Sequence, residues 1–217
     1  MTEETGSAFL VDAAGASASE FERAIAALRS GNVIAYPTET FYGLGVDPFL
    51  KGSLERLFAI KAREPEKPVA LIAADSAMAF ELACQLPMAA RRLAEAFWPG
   101  PLTLVLPARA DLPAALIGPD GGVGVRVSSH PTARALAAAL KRPITATSAN
   151  LSGKAPAMTV TAAQAAFHSK VKVFLEGGRM TAAAPSTIVG FHAGRLRVLR
   201  VGAIAEHELL AALGGSR

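Results

Sequence analysis

The 217-residue chain contains one cysteine, Cys84, so it cannot form an internal disulfide. A lone thiol also has no partner at metal-ligand spacing. Cys84 lies in the apolar stretch AFELACQL, whose helical period assigns it to the core rather than to catalysis. No apolar run reaches the roughly 18 uninterrupted residues of a membrane span. The opening residues MTEETGSAFLVDAAG lack the basic start of a secretory signal. These absences predict a soluble cytoplasmic protein without a membrane partner. Aromatic residues make up only 6% of the chain, with no basic–aromatic interleaving for stacking bases. Charge of either sign is also modest. Lys and Arg number 22 against 18 acids, a net +4 that is too small to coat a duplex but suits a pocket for small anions.

Several catalytic signatures are missing as well. SGKAP has Gly-Lys without the glycine frame of a phosphate-binding P-loop, and GLGVDP and GVGVRV lack the third glycine of a dinucleotide fingerprint. The histidines (His130, His168, His192, His207) are scattered, none at metal-ligand spacing and none paired with a G-x-S-x-G nucleophile. No metal-ligand set is therefore expected, and covalent catalysis is disfavoured.

What remains is an alternation of helical and strand patterns. SASEFERAIAALRSG has Ser17 and Glu20 at capping-box spacing and Gly31 as a stop. SLERLFAIKAR is amphipathic with Ser53 as its N-cap, and further helices are predicted at about 76–85, 87–97, in PTARALAAALK, near 161–167 and in AEHELLAALGG. Strands are expected in NVIAYPT, PVALIAA, PLTLVLPA, GVGVRV, PITATS, VKVFLEG, STIVGF and RLRVLRVG, with Gly43 and Gly45 turning the backbone away from the sheet. Interleaved elements with hairpin-like pairing near the C-terminus predict an α/β fold, an open twisted mixed sheet with flanking helices. Without repeats, linkers or charge blocks, residues 1–217 read as one domain.

Polar groups gather where these strands end. Thr38, Glu39 and Thr40 follow the apolar run NVIA, and Lys61, Arg63 and Lys67 cluster where a helix ends. Cations there either complement the helix dipole, worth roughly 0.3–1 kcal/mol, or meet an anion. Arg126, between apolar neighbours in a strand, pairs either with a structural carboxylate or with an anionic ligand. TSANLSG reads alone as a turn, Ser186 and Thr187 as strand-start hydrogen bonders, Arg200 as a solvated strand residue and His130 as a turn residue. Jointly they fit an α/β crevice for a polyanionic ligand held without a P-loop.

The blocks YPTETFYGLG, KAR with KP following, PGPLTLVL, GVRVSSHP, TSANLSG, STIV and LRVGAI resemble the YrdC-domain family in order and spacing, over about residues 18–205. The resemblance implies a YrdC-like fold with a concave basic site. It also implies an ATP-dependent nucleotidyltransferase that makes L-threonylcarbamoyladenylate and pyrophosphate from L-threonine, bicarbonate and ATP. Mg²⁺ would accompany ATP, and partner proteins would transfer the threonylcarbamoyl group to tRNA, with weak tRNA or RNA binding as an accompaniment. By similarity, Thr38, Arg126, Ala146 and Ser186 are threonine contacts, and Lys61 and Arg63 are the catalytic K-x-R pair. Lys61, Ser148, Asn150 and Arg200 are ATP contacts, and Lys67 is an extra anion contact.

Three positions depart from the family pattern: Glu64 and Val201 stand where proline is usual, and Gly122 where many relatives carry a hydroxyl. Longer members append a C-terminal domain through a linker; this chain stops soon after VGAI with the short helix AEHELLAALGG, and reads either as a single-domain form or as part of a longer protein. The competing reading is a non-catalytic RNA-binding module of the same fold, whose affinity would fall steeply with salt.

Overall fold

The computed structural model describes residues 17–62, 68–151, 153–192 and 195–214. Its first helix, α1 (Ala18–Arg29), begins with the expected capping box: Ser17 accepts from the Glu20 N–H while the Glu20 carboxylate accepts from the Ser17 N–H. It stops at Gly31, which turns the chain at φ 67°. The chain continues through β1 (Ile34–Tyr36), β2 (Gly43–Gly45), α2 (Ser53–Lys61), β3 (Ala70–Ala73), α3 (Ser76–Phe80), α4 (Met88–Phe97), β4 (Leu102–Pro107) and β5 (Gly122–Val127). Then come α5 (Pro131–Leu140), β6 (Ile144–Ser148), α6 (Val160–Phe167), β7 (Val173–Phe174), β8 (Thr187–His192), β9 (Arg195–Arg200) and α7 (Glu206–Ala212).

Among the described residues the strands form one mixed sheet in the order β7-β1-β2-β6-β3-β5-β4-β8-β9, with parallel pairs β1/β7, β3/β5 and β4/β8 and the others antiparallel. The period of two sorts its side chains between two cores. Ile34, Tyr36, Ile72 and Ile144 join Phe21, Ile25 and Leu28 of α1 and Leu136 of α5. The opposite alternates, Ala35, Leu71, Leu104 and Val125, pack with Leu57 of α2, Leu93 of α4 and Phe167 of α6. The mixed α/β sheet with flanking helices is thus the architecture expected from the sequence.

Three local expectations are corrected. Gly43 and Gly45 do not turn the chain out of the sheet; they form β2, between β1 and β6. The cause is Tyr36, whose ring is fully buried and whose hydroxyl donates to the Thr145 carbonyl at 2.8 Å. A Cβ on Gly45 would lie 2.8 Å from Tyr36 Cε1, and one on Gly43 would lie 3.3 Å from Cζ. Gly45→Ala is therefore expected to cost roughly 1–3 kcal/mol by overpacking, read by denaturant unfolding, with Gly43→Ala milder. Ser53 is not the N-cap of α2 but its first residue; Gly52 caps it at φ 80°, and the Ser53 hydroxyl donates to the Asp47 and Leu50 carbonyls.

Cys84 is exposed and outside any helix. The helix expected over 76–85 ends at Phe80 because the following backbone is drawn onto the end of β4. There the Cys84 N–H donates to the Pro107 carbonyl at 3.0 Å, and Ala83 bridges Ala108.

Candidate functional site

The sheet face lined by Ile72 and Ile144 is covered by α1 and α5 over only part of its width. Further across, register sets a row of side chains on that same face: Ile72 is opposite Arg126, Ala70 opposite Ala146, Thr103 opposite Ile188, and Ile188 opposite Arg200. This row floors a cleft of about 470 Å³, walled by Thr38, Thr40 and Phe41 of the β1–β2 loop, Pro68, Ser148, Pro156 and Pro185. Small side chains at Ala70 and Ala146 keep the floor low on the β3/β6 side of Arg126, away from Arg200.

Each polar lining group has a defined support. Thr38 Oγ1 donates to the Phe41 carbonyl at 2.6 Å, accepts from the Thr40 and Phe41 N–H groups at 3.2 Å, and lies 3.1 Å from Thr40 Oγ1. This side chain folds the YPTETF segment over the end of β1, a serine/threonine turn of the kind its polar residues favour. Ser186 Oγ stands 3.0 Å from Thr103 Oγ1 and accepts from Arg200 Nη2 at 2.9 Å. Arg200 also donates to the Ser186 carbonyl through Nε and Nη2, at 3.1 and 2.7 Å. Burial, and secondarily the nearby charge of Arg126, hold the Arg200 guanidinium below its usual pKa.

Arg126 is the most deeply placed charge in the cleft. Its Nη1 lies 2.9 Å from Glu39 Oε1, with the two side chains only 8% and 11% exposed. That pairing is Coulombic rather than an aligned hydrogen bond, since Oε1 has no hydrogen-bond partner among the described residues. The second carboxylate oxygen accepts from Ser128 Oγ. Of the two readings open in the sequence, a structural carboxylate and an anionic ligand, the first is met without consuming the guanidinium's donors. With Arg126 and Arg200 on the floor and a single carboxylate, Glu39, set against Arg126, the floor is net positive.

Thr38, Arg126, Ala146, Ser148, Ser186 and Arg200 thus come together in one cleft. Lys61, the last residue of α2, reaches its edge: the Nζ donates to the Ser148 carbonyl at the end of β6. Asn150 is not among the lining residues but stands beside Ser148, which is; its carboxamide accepts from Ser148 Oγ and donates to the Leu151 and Lys154 carbonyls at 3.0 and 2.6 Å, closing that loop. Arg63, Glu64 and Lys67 lie outside the described residues. Gly122 begins β5 away from the lining, and a Cβ there would lie 2.5 Å from Val105 Cγ1, so packing accounts for the glycine. Val201 is 71% exposed, and the valine leaves the Arg200 grip on Ser186 in place.

Sequence reasoning passed over Thr103, although it is a single hydroxyl within the aliphatic run PLTLVL, and over the Glu39–Arg126 pair. Arg200, read as a solvated strand residue, is solvent-exposed as a residue, yet its guanidinium is turned onto Ser186.

His130 sits beside this site, at the start of α5. Burial lowers its pKa from the ordinary 6.5; Glu39 opposes that shift and Arg134 adds to it. A folded pKa below the unfolded one gives stability that is complete above the unfolded value and lost as pH falls from there through the folded value. His130→Asn is expected to flatten the fall in melting temperature between about pH 7.5 and about pH 5.5, read by scanning calorimetry across that range.

Comparison with known proteins places these observations. The Sua5/YciO/YrdC family, described as telomere recombination, matches residues 26–202. A threonylcarbamoyl-AMP synthase of Vibrio cholerae is 42% identical over 183 residues, covering 83% of this chain and 96% of the relative. That of Nitrosococcus oceani is 40% identical over 161 residues, covering 74% and 87%. The crystal structure of P. abyssi Sua5 complexed with L-threonine superposes with a TM-score of 0.85 at 33% identity. It covers 89% of this chain, which spans 57% of the Sua5 chain.

Proposed function

The chain belongs to the Sua5/YciO/YrdC family, and from that premise we propose that it is an L-threonylcarbamoyladenylate synthase serving tRNA modification. The observation that carries this reading is Arg126, a buried guanidinium at ion-pair distance from one carboxylate and with its donors still open to the cleft. Such a group suits bidentate capture of a second carboxylate, that of threonine. Thr38, Ser186 and the backbone at Ala146 would surround the rest of the amino acid. Ser148, Asn150 and Arg200 would face ATP, with Lys61, Arg63 and Lys67 meeting phosphate and carbamate.

The chemistry then needs no protein nucleophile. The threonine amine forms an N–C bond with bicarbonate, releasing water and giving a carbamate. A carbamate oxygen attacks the α-phosphorus of ATP, and the α–β phosphoanhydride bond breaks to release pyrophosphate. Three anionic groups must share one cleft, so the contribution of the chain is orientation and fixed positive charge. Mg²⁺ would arrive on the ATP phosphates as part of that substrate, because Glu39, the carboxylate against the floor, is already engaged by Arg126 and Ser128. The product would pass to proteins that transfer the threonylcarbamoyl group to tRNA.

The test is pyrophosphate release from ATP with Mg²⁺, measured with and without threonine and bicarbonate. Release that requires both supports the reading. Release independent of threonine, or none at all, overturns it.

A further inference from the structure

The two guanidinium groups of the floor are held in different ways. Arg200 is tied down by hydrogen bonds to Ser186, whereas Arg126 has the Glu39 carboxylate beside it and no aligned bond to it. Arg126 is the penultimate residue of β5 and Ser128 follows directly after the strand, and both side chains meet Glu39. Glu39 spans them, with Oε1 2.9 Å from Arg126 Nη1 and Oε2 accepting from Ser128 Oγ.

Ser128 is itself locked in place. It is fully buried, its hydroxyl accepts from the His130 N–H at 3.1 Å, and its carbonyl accepts from Arg134 Nη1 at 2.6 Å. The Glu39 carboxylate is therefore anchored to the β5–α5 turn on one side and acts on Arg126 by charge on the other.

We propose that Glu39, clamped by Ser128, is a positioning residue that holds the Arg126 guanidinium with its donor edge turned to the threonine carboxylate. The proposal rests on the reading of Arg126 as the carboxylate anchor. Bulk electrostatics argues for the opposite sign, because a negative charge this close repels an incoming carboxylate. If repulsion dominated, neutralising Glu39 would tighten threonine binding. If positioning dominates, neutralising it lets the guanidinium turn and weakens threonine binding.

The experiment compares KM for threonine and for ATP in the wild-type protein, Glu39→Gln and Ser128→Ala, with melting temperatures as a check on folding. Glu39→Gln preserves the shape, so it keeps the fold testable. It is expected to raise KM for threonine about tenfold, the loss of one charged contact, while KM for ATP stays within about twofold. Ser128→Ala, which keeps the charge but frees the clamp, is expected to raise KM for threonine by a smaller factor. An unchanged or lowered KM for threonine in Glu39→Gln, or equal rises in both KM values, overturns the proposal. Wild-type protein without threonine-dependent pyrophosphate release overturns the functional reading, and this proposal with it.

Discussion

Arg126→Ala is expected to reduce kcat/KM for threonine by about 10²–10³, because truncating one member of a buried charged contact costs about 3–4 kcal/mol. The position makes this large. Arg126 comes from a central strand, 6% exposed, between β3 and β4, so no neighbouring cation moves into its place without disturbing the sheet. Arg126→Lys restores the charge but not the planar pair of donors, so it is expected to recover only part of the loss. Steady-state kinetics with threonine as the varied substrate reads both variants. Because alanine also leaves Glu39 buried without its counter-ion, the melting temperature of Arg126→Ala should fall as well, and that of Arg126→Lys less. Equal kinetics in all three proteins would remove Arg126 from the site.

Gly202→Ala carries the second large effect, through the backbone. A Cβ at Gly202 would lie 2.3 Å from the Pro185 carbonyl oxygen and 2.5 Å from Ser186 C. Neither is the flexible end of a side chain, so the chain leaving β9 has to move away from the entry to β8. That separation breaks the Ala203 N–H to Pro185 carbonyl bond at 2.9 Å and loosens the Arg200 grip on Ser186. The expected outcome is a loss of about 3 kcal/mol or more in unfolding free energy, at the upper end for an overpacked site, together with weaker binding of ATP by any protein that still folds. Denaturant unfolding and nucleotide titration measure the two halves. The exposed Val201 next to it should accept alanine with little change in either.

The sequence signals that survive into the structure are the ones with a local cause. Ser17 and Glu20 satisfy each other across one helical turn, so their spacing alone identifies the cap. Thr38, Arg126, Ser186 and Arg200 stand out because polar residues interrupt apolar strand sequence, and the cleft is where those interruptions meet. What sequence reading misjudged depends on partners distant in the chain. The glycines of β2 look like a turn until the Tyr36 ring is laid across them. Cys84 looks like a core helix residue until β4 draws its backbone out of the helix. The Glu39–Arg126 pair leaves no periodic signal, because one member lies on a loop after β1 and the other on β5, joined only by the sheet order.

The central claim is that this cleft joins threonine, bicarbonate and ATP into one mixed anhydride. The most direct measurement is mass spectrometry of the nucleotide products after incubation with ¹³C-bicarbonate, ATP, Mg²⁺ and L-threonine. The account predicts a threonine-dependent AMP adduct whose carbamoyl carbon carries the label, absent when threonine is omitted and strongly reduced in Arg126→Ala. ATP consumed with no labelled adduct, or a labelled adduct formed equally well without threonine, would contradict it.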